Sequence, residues 1–133
     1  MQTVMGNLGV IKRTYEGKTS EENGKNLEAH LAPDVRCTVA TGFPYTGTYI
    51  GFEAISTHIF DRLATEWIDY RFIPEDYMTE NSRIAVVGTY KGTYRKTSKS
   101  FSARVVHIWC LKDGEIINFE QFVDSKTVVD AMS

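Results

Sequence analysis

The hydrophobic period of this chain changes once, near Trp67, and that change limits the folds open to it. Before it, Phe52, Ile55, Ile59 and Leu63 form a single stripe at helical spacing, while His58, Asp61, Arg62 and Glu66 occupy other faces. After it the apolar residues alternate, which places them on one side of an extended chain. Strands are expected at 70–78, 83–95, 101–111 and 116–123. Turn residues sit at each junction, in Glu80-Asn81-Ser82, Lys96-Thr97-Ser98-Lys99 and Lys112-Asp113-Gly114-Glu115. Helices gathered ahead of a strand meander predict an α+β fold in which helices cover one face of a bent antiparallel sheet around an apolar pocket.

The first third of the chain supplies the other helices. Val4, Leu8, Ile11 and Tyr15 share a face of a first helix, weakened by Gly6 and Gly9. Thr19 and Glu22 have the form of a capping box, so a second helix is expected from Ser20 to Leu31, with Pro33 beyond its end. Val35 to Val39 follows as a strand that leads into the loop Ala40-Thr41-Gly42-Phe43-Pro44. Asp124 or Ser125 can cap a last short helix through Met132. With 133 residues and no repeat or linker, residues 1–133 form one domain with one core.

Composition narrows the partners. Fifteen basic and 17 acidic residues are interspersed along the chain, leaving a charge of -2 and no basic surface for nucleic acid or an anionic membrane. No run approaches the length of a membrane span. Cys37 and Cys110 lie in apolar strands without metal-ligand spacing, as expected of reduced thiols in a cytoplasmic protein that uses neither metal nor cofactor.

Alternation assigns side chains to faces. His107 and Trp109 share a side with Phe101, Ala103, Val105 and Leu111, and a hairpin turning at Thr97-Ser98 sets Gly88 opposite His107 and Tyr90 opposite Val105. The facing set Val86, Gly88, Tyr90 and Gly92 leaves room beside a histidine, as a cavity wall would. On the last strand a two-residue Asp113-Gly114 turn turns Glu120 inward, whereas a loop one residue longer or shorter turns Gln121 inward. Phe119, Gln121 and Val123 with Ile117 are the more apolar set, which favours Gln121 and a glycine bulge at Gly114; Glu120 is the alternative.

The element order, with LAPDV after the second helix, FPYTGTYIG before the third and VHIWCLKDGEIINFEQFVD at the end, resembles the SnoaL-like and ketosteroid isomerase-like proteins of the nuclear transport factor 2-like superfamily. The resemblance spans nearly the whole chain. It implies a cone-shaped, cystatin-like roll in which a strongly bent antiparallel sheet and three to four helices enclose a deep apolar pocket. It also implies a homodimer formed through the outer sheet face. Activities in this group include double-bond isomerisation, polyketide cyclisation, dehydration and epoxide hydrolysis, and many members have no catalysis. Fold alone does not choose among them.

Position by position, the resemblance argues against a true ketosteroid isomerase. Val39 stands where that enzyme carries its carboxylate base, and His107 stands at the position of its sheet aspartate. Tyr15 falls about a turn from the place of its helix tyrosine. Polyketide cyclases of the SnoaL type are similar in placing a histidine on the strand of His107, but Gln121 then occupies the position of their acid. An epoxide hydrolase would need two carboxylates bridged by an arginine, and Arg104 points to the other face.

His107 is therefore the expected acid or base, since an imidazole can exchange a proton near neutral pH. Tyr90, Gln121, Trp109, Phe119, Tyr45 and Phe43 are the expected ligand contacts, the last pair either closing the pocket mouth or anchoring their loop in the core. Two classes of function stay open. One is an isomerase, cyclase or dehydratase-type lyase, working without metal, that moves a proton next to the carbonyl of a small hydrophobic molecule. The other is a noncatalytic pocket protein or dimeric interaction module of the same fold.

Overall fold

The computed structural model describes residues 6–133. Helix α1 spans Asn7–Tyr15, so the expected start at Val4 lies outside the described residues. Helix α2, Ser20–His30, begins as the capping box predicts, with the Thr19 hydroxyl accepting from the Glu22 amide. The helix ends one residue earlier than expected, and strand β1, Leu31–Val39, starts four residues before the expected Val35 and runs through Pro33. Strand β2, Gly47–Ile50, pairs with β1 and was not anticipated inside the Gly/Pro-punctuated loop.

The stripe at 52–63 does form one continuous helical rod, but it has three parts: α3 (Phe52–Ile55), a π-turn over Ser56–Phe60, and α4 (Asp61–Glu66). Its buried residues are Ile55 and Ile59, as the spacing predicts. Strands β3 (Trp67–Glu80), β4 (Arg83–Tyr94), β5 (Ser100–Lys112) and β6 (Glu115–Val123) form the meander. Helix α5, Ser125–Asp130, is capped by the Asp124 carboxylate, which accepts from the Thr127 amide.

The six strands are ordered β2-β1-β6-β5-β4-β3 in one bent sheet. Every neighbouring pair is antiparallel except β1 and β6, which run parallel and bring the start of the chain beside its end. This contact carries Cys37 next to Phe119 and so sets the strand holding Val39 against the strand holding Gln121.

Two registers differ from expectation in an instructive way. The β4–β5 loop is longer than a two-residue turn, with Tyr94 opposite Lys99 across it and Ser98 at a positive φ of 60°. Val86 consequently faces His107, Gly88 faces Val105 and Tyr90 faces Ala103. A shift of two residues preserves the face, so the expected wall survives. In the β5–β6 hairpin the two-residue turn is real: Asp113 and Gly114 both have positive φ, 52° and 81°, and Lys112 pairs with Glu115. The bulge sits not at Gly114 but at Ile117, since Leu111 pairs with Ile116 while Cys110 pairs with Asn118. That extra residue leaves Ile117 exposed, buries Ile116, and sets Gln121 opposite His107.

Candidate functional site

Between the concave sheet face and the helices lies a cavity of about 260 Å³. Leu27, Val35, Val39, Ile55, Ile59 and Leu63 make its apolar side, and Tyr15, Tyr90, His107, Trp109, Phe119 and Gln121 line it as well. Among the described residues of the lining there is no aspartate or glutamate; Arg71 is its one residue with a permanent charge. Val39 lies in this wall.

His107 is buried and held from both sides. Its Nδ1 lies 2.6 Å from the Tyr15 hydroxyl, and its Nε2 lies 2.6 Å from the Tyr90 hydroxyl. Phe72 stacks on the imidazole at 4.5 Å between centroids, and Phe119 meets it edge-on at 4.8 Å. Each tyrosine oxygen also accepts from a further donor: Trp109 Nε1 reaches Tyr15 at 2.8 Å, and Gln121 Nε2 reaches Tyr90 at 2.8 Å. The side-chain oxygen of Gln121 in turn accepts from the Ala40 amide at 3.4 Å. Five side chains thus form one chain of hydrogen bonds, Trp109–Tyr15–His107–Tyr90–Gln121.

Burial pushes the imidazole pKa down to about 3, so His107 is neutral at physiological pH. A neutral imidazole has one N–H and one bare nitrogen. The two contacts to tyrosine therefore use one imidazole N–H and one phenolic O–H, and the second phenolic O–H is left over. The tyrosine that keeps it already accepts two hydrogen bonds, from the imidazole and from Trp109 or Gln121, and can only donate. Burial raises the pKa of both phenols above its usual value, which makes them stable neutral donors rather than sources of a proton.

The structure brings together His107, Tyr90, Gln121, Trp109 and Phe119, as expected, but adds Tyr15, Phe72 and Tyr70. Tyr15 was legible as a member of the α1 stripe and, by resemblance, as lying about a turn from an isomerase's helix tyrosine, but not as a partner of His107, from which it is 92 positions away. Phe43 and Tyr45 are not part of the lining. They are core residues: the Tyr45 hydroxyl donates to Glu66 at 2.6 Å and accepts from Trp67 Nε1 at 3.0 Å, which ties the loop to the end of α4. Cys37 lines the cavity, with its thiol pushed up to about 12 by burial, so it is protonated and inert as a nucleophile. Among the described residues no group of three or more His, Cys, Asp or Glu side chains is placed to hold a metal ion. Arg104 pairs with Glu75 on the outer face, away from the cavity.

A model of the SnoaL-like domain matches residues 11–119, most of the chain and all of the cavity wall except Gln121. The chain belongs to the SnoaL-like family. Similar solved structures extend this to the whole length. This SnoaL-like chain is 34% identical to an NTF2-like protein from Burkholderia thailandensis, covering 100% of this chain and 99% of that one, with a TM-score of 0.90. TerC, co-crystallised with polyporic acid, matches at 21% identity over 95% of this chain and 97% of its own, with a TM-score of 0.82. A candidate SnoaL-like polyketide cyclase from Jannaschia sp. CCS1 matches at 16% identity over 100% and 96%, with a TM-score of 0.80. The last two share the fold. No curated protein matches the chain.

Proposed function

We propose that this SnoaL-like protein binds a small, mainly apolar carbonyl compound and holds its oxygen with a tyrosine hydroxyl that His107 positions. The leftover phenolic O–H carries this reading: it lies in the wall of an apolar cavity, it can only donate, and a carbonyl oxygen can only accept. A volume of about 260 Å³ is under twice the roughly 150 Å³ that holds a benzene, which suits a two-ring molecule. TerC, which shares the fold, was co-crystallised with an organic acid, and this supports a small organic occupant. Direct proton transfer by His107 is disfavoured, since both of its nitrogens are engaged and the lining holds no carboxylate among the described residues.

The test compares 1-tetralone with tetralin, its analogue without the carbonyl, by calorimetry. Tetralone is expected to bind at least about tenfold more tightly, the value of one buried hydrogen bond. Deuterium uptake at the carbon next to the carbonyl should match the rate without protein. Equal affinities would refute the carbonyl reading, and accelerated uptake lost in His107→Ala would restore His107 as a proton-transfer residue.

The outer sheet face supports a homodimer as the working form. Ile73, Met78 and Phe122 are 38%, 52% and 49% exposed on it, beside the half-buried Val87, Val106 and Ile108. Apolar surface of this kind is characteristic of an interface. Sedimentation velocity at micromolar concentration is expected to find a dimer that Phe122→Lys dissociates; a wild-type monomer would contradict this.

A further inference from the structure

We infer that Tyr70 is a second ligand-anchoring residue, whose hydroxyl joins that of Tyr90 on the same ligand oxygen; this rests on the carbonyl reading above. Three features of the fold converge on Tyr70. Strand β3 bulges between Ile68 and Arg71, with Asp69 at a positive φ of 54°, so that two β3 residues stand opposite Gly92. Bulges of this kind re-aim a side chain. Gly92 makes the room: a Cβ there would lie 3.1 Å from the Tyr70 Cα and 3.4 Å from its ring.

The redirected ring lines the cavity and packs 5.1 Å from the ring of Tyr90 and 5.5 Å from that of Trp67. Its hydroxyl is buried and has no hydrogen-bond partner. Asn118 Oδ1 is the other buried side-chain atom in this condition among the described residues, and Asn118 is not in the cavity wall. Buried polar groups are otherwise almost always paired, so a phenol placed by a bulge, accommodated by a glycine and left without a partner is a donor suited to a molecule that enters from the cavity.

Tyr90 is the neighbour that shares the task. When His107 carries its proton on Nε2, that N–H donates to Tyr90 and the Tyr15 hydroxyl donates to Nδ1, so the leftover O–H belongs to Tyr90. A carbonyl oxygen has two lone pairs and takes two donors. The ligand class is thus a ketone whose oxygen sits between two phenols, with the imidazole fixed as the Nε2–H tautomer.

Tyr70→Phe separates this from a packing role. Removing an unpartnered buried hydroxyl is expected to raise Tm by a few degrees in the absence of a probe, while 1-tetralone binds about tenfold more weakly and tetralin binds as before. The infrared C=O stretch of bound ¹³C-carbonyl 1-tetralone should move to higher wavenumber, because one of its two donors is gone. Wild-type discrimination between the probes combined with an unchanged affinity and stretch in Tyr70→Phe overturns the Tyr70 role alone. A lowered Tm in Tyr70→Phe also overturns it, since the hydroxyl would then have an internal partner. Failure of the wild type to prefer 1-tetralone overturns both readings.

Discussion

Gly88→Ala is expected to destabilise the protein by roughly 3 kcal/mol, the upper range for overpacking a filled interior. Gly88 lies on the cavity face of β4, opposite Val105 on one side and Pro74 on the other. A Cβ there would collide with the carbonyl oxygen of Ile73 and would stand 2.6 Å from the ring of Phe72. The flexible ring can give way, but the carbonyl belongs to the backbone of β3, which pairs with β4 along most of its length. Phe72 also stacks on His107, so whatever strain the ladder absorbs is passed to the imidazole. Urea denaturation checks this result. A loss below about 0.5 kcal/mol, the ordinary scatter of harmless substitutions, would mean that β3 is free to move away.

Acid is expected to act on the fold through one residue well before the carboxylates respond. His107 has a folded pKa near 3 against about 6.5 for a free imidazole. The unfolded chain therefore binds the proton more readily, and stability is complete above pH 6.5 and falls as the pH drops from there toward 3. Between pH 7 and pH 5 the loss is about 2 kcal/mol. Glu66, Glu75 and Asp124 are held below the usual carboxylate range by their hydrogen-bond partners, notwithstanding the opposing effect of burial at Glu66. Their contribution is present above that range and is lost only as the pH falls through it, below the window in which His107 acts. His107→Gln should flatten the dependence between pH 7 and 5. Persistence of the slope in that variant would assign it to other groups.

The sequence carried most of the fold because its information is local. A helical stripe at 52–63 and alternation from Trp67 onward are set by which residues are apolar, and burial of Ile55, Ile59, Val86, Val105 and Trp109 follows them. What escaped was non-local. The parallel pairing of β1 with β6 joins segments some eighty positions apart, and nothing in either strand announces it. Strand β2 has four residues, two of them Tyr49 and Ile50, too short for alternation to distinguish it from a loop. The π-turn in the third helical rod leaves the apolar spacing intact and so has no signature.

The site was legible in the same measure. Face assignment placed His107, Tyr90 and Trp109 together, because parity survives a register error of two. Gln121 was placed correctly on apolar pattern, although the means is a bulge at Ile117 rather than at the turn glycine. Tyr15 and Tyr70 needed three dimensions: one reaches His107 from a helix, and the other is turned inward by a bulge that the strand pattern conceals. For Tyr45 the residue pattern left a pocket lid and a core anchor both open, and only the hydroxyl contacts that tie Glu66 to Trp67 distinguish them.

The account turns on His107 as a neutral centre between two tyrosines, and ¹⁵N NMR of the histidine-labelled protein tests that most directly. From pH 8 down to pH 5 the His107 ring should keep one protonated and one bare nitrogen, with no titration, while His107→Gln removes these signals alone. A midpoint near 6.5, with both nitrogens protonated below it, would contradict a buried, neutral His107 that accepts one hydrogen bond from the tyrosine pair and donates one to it.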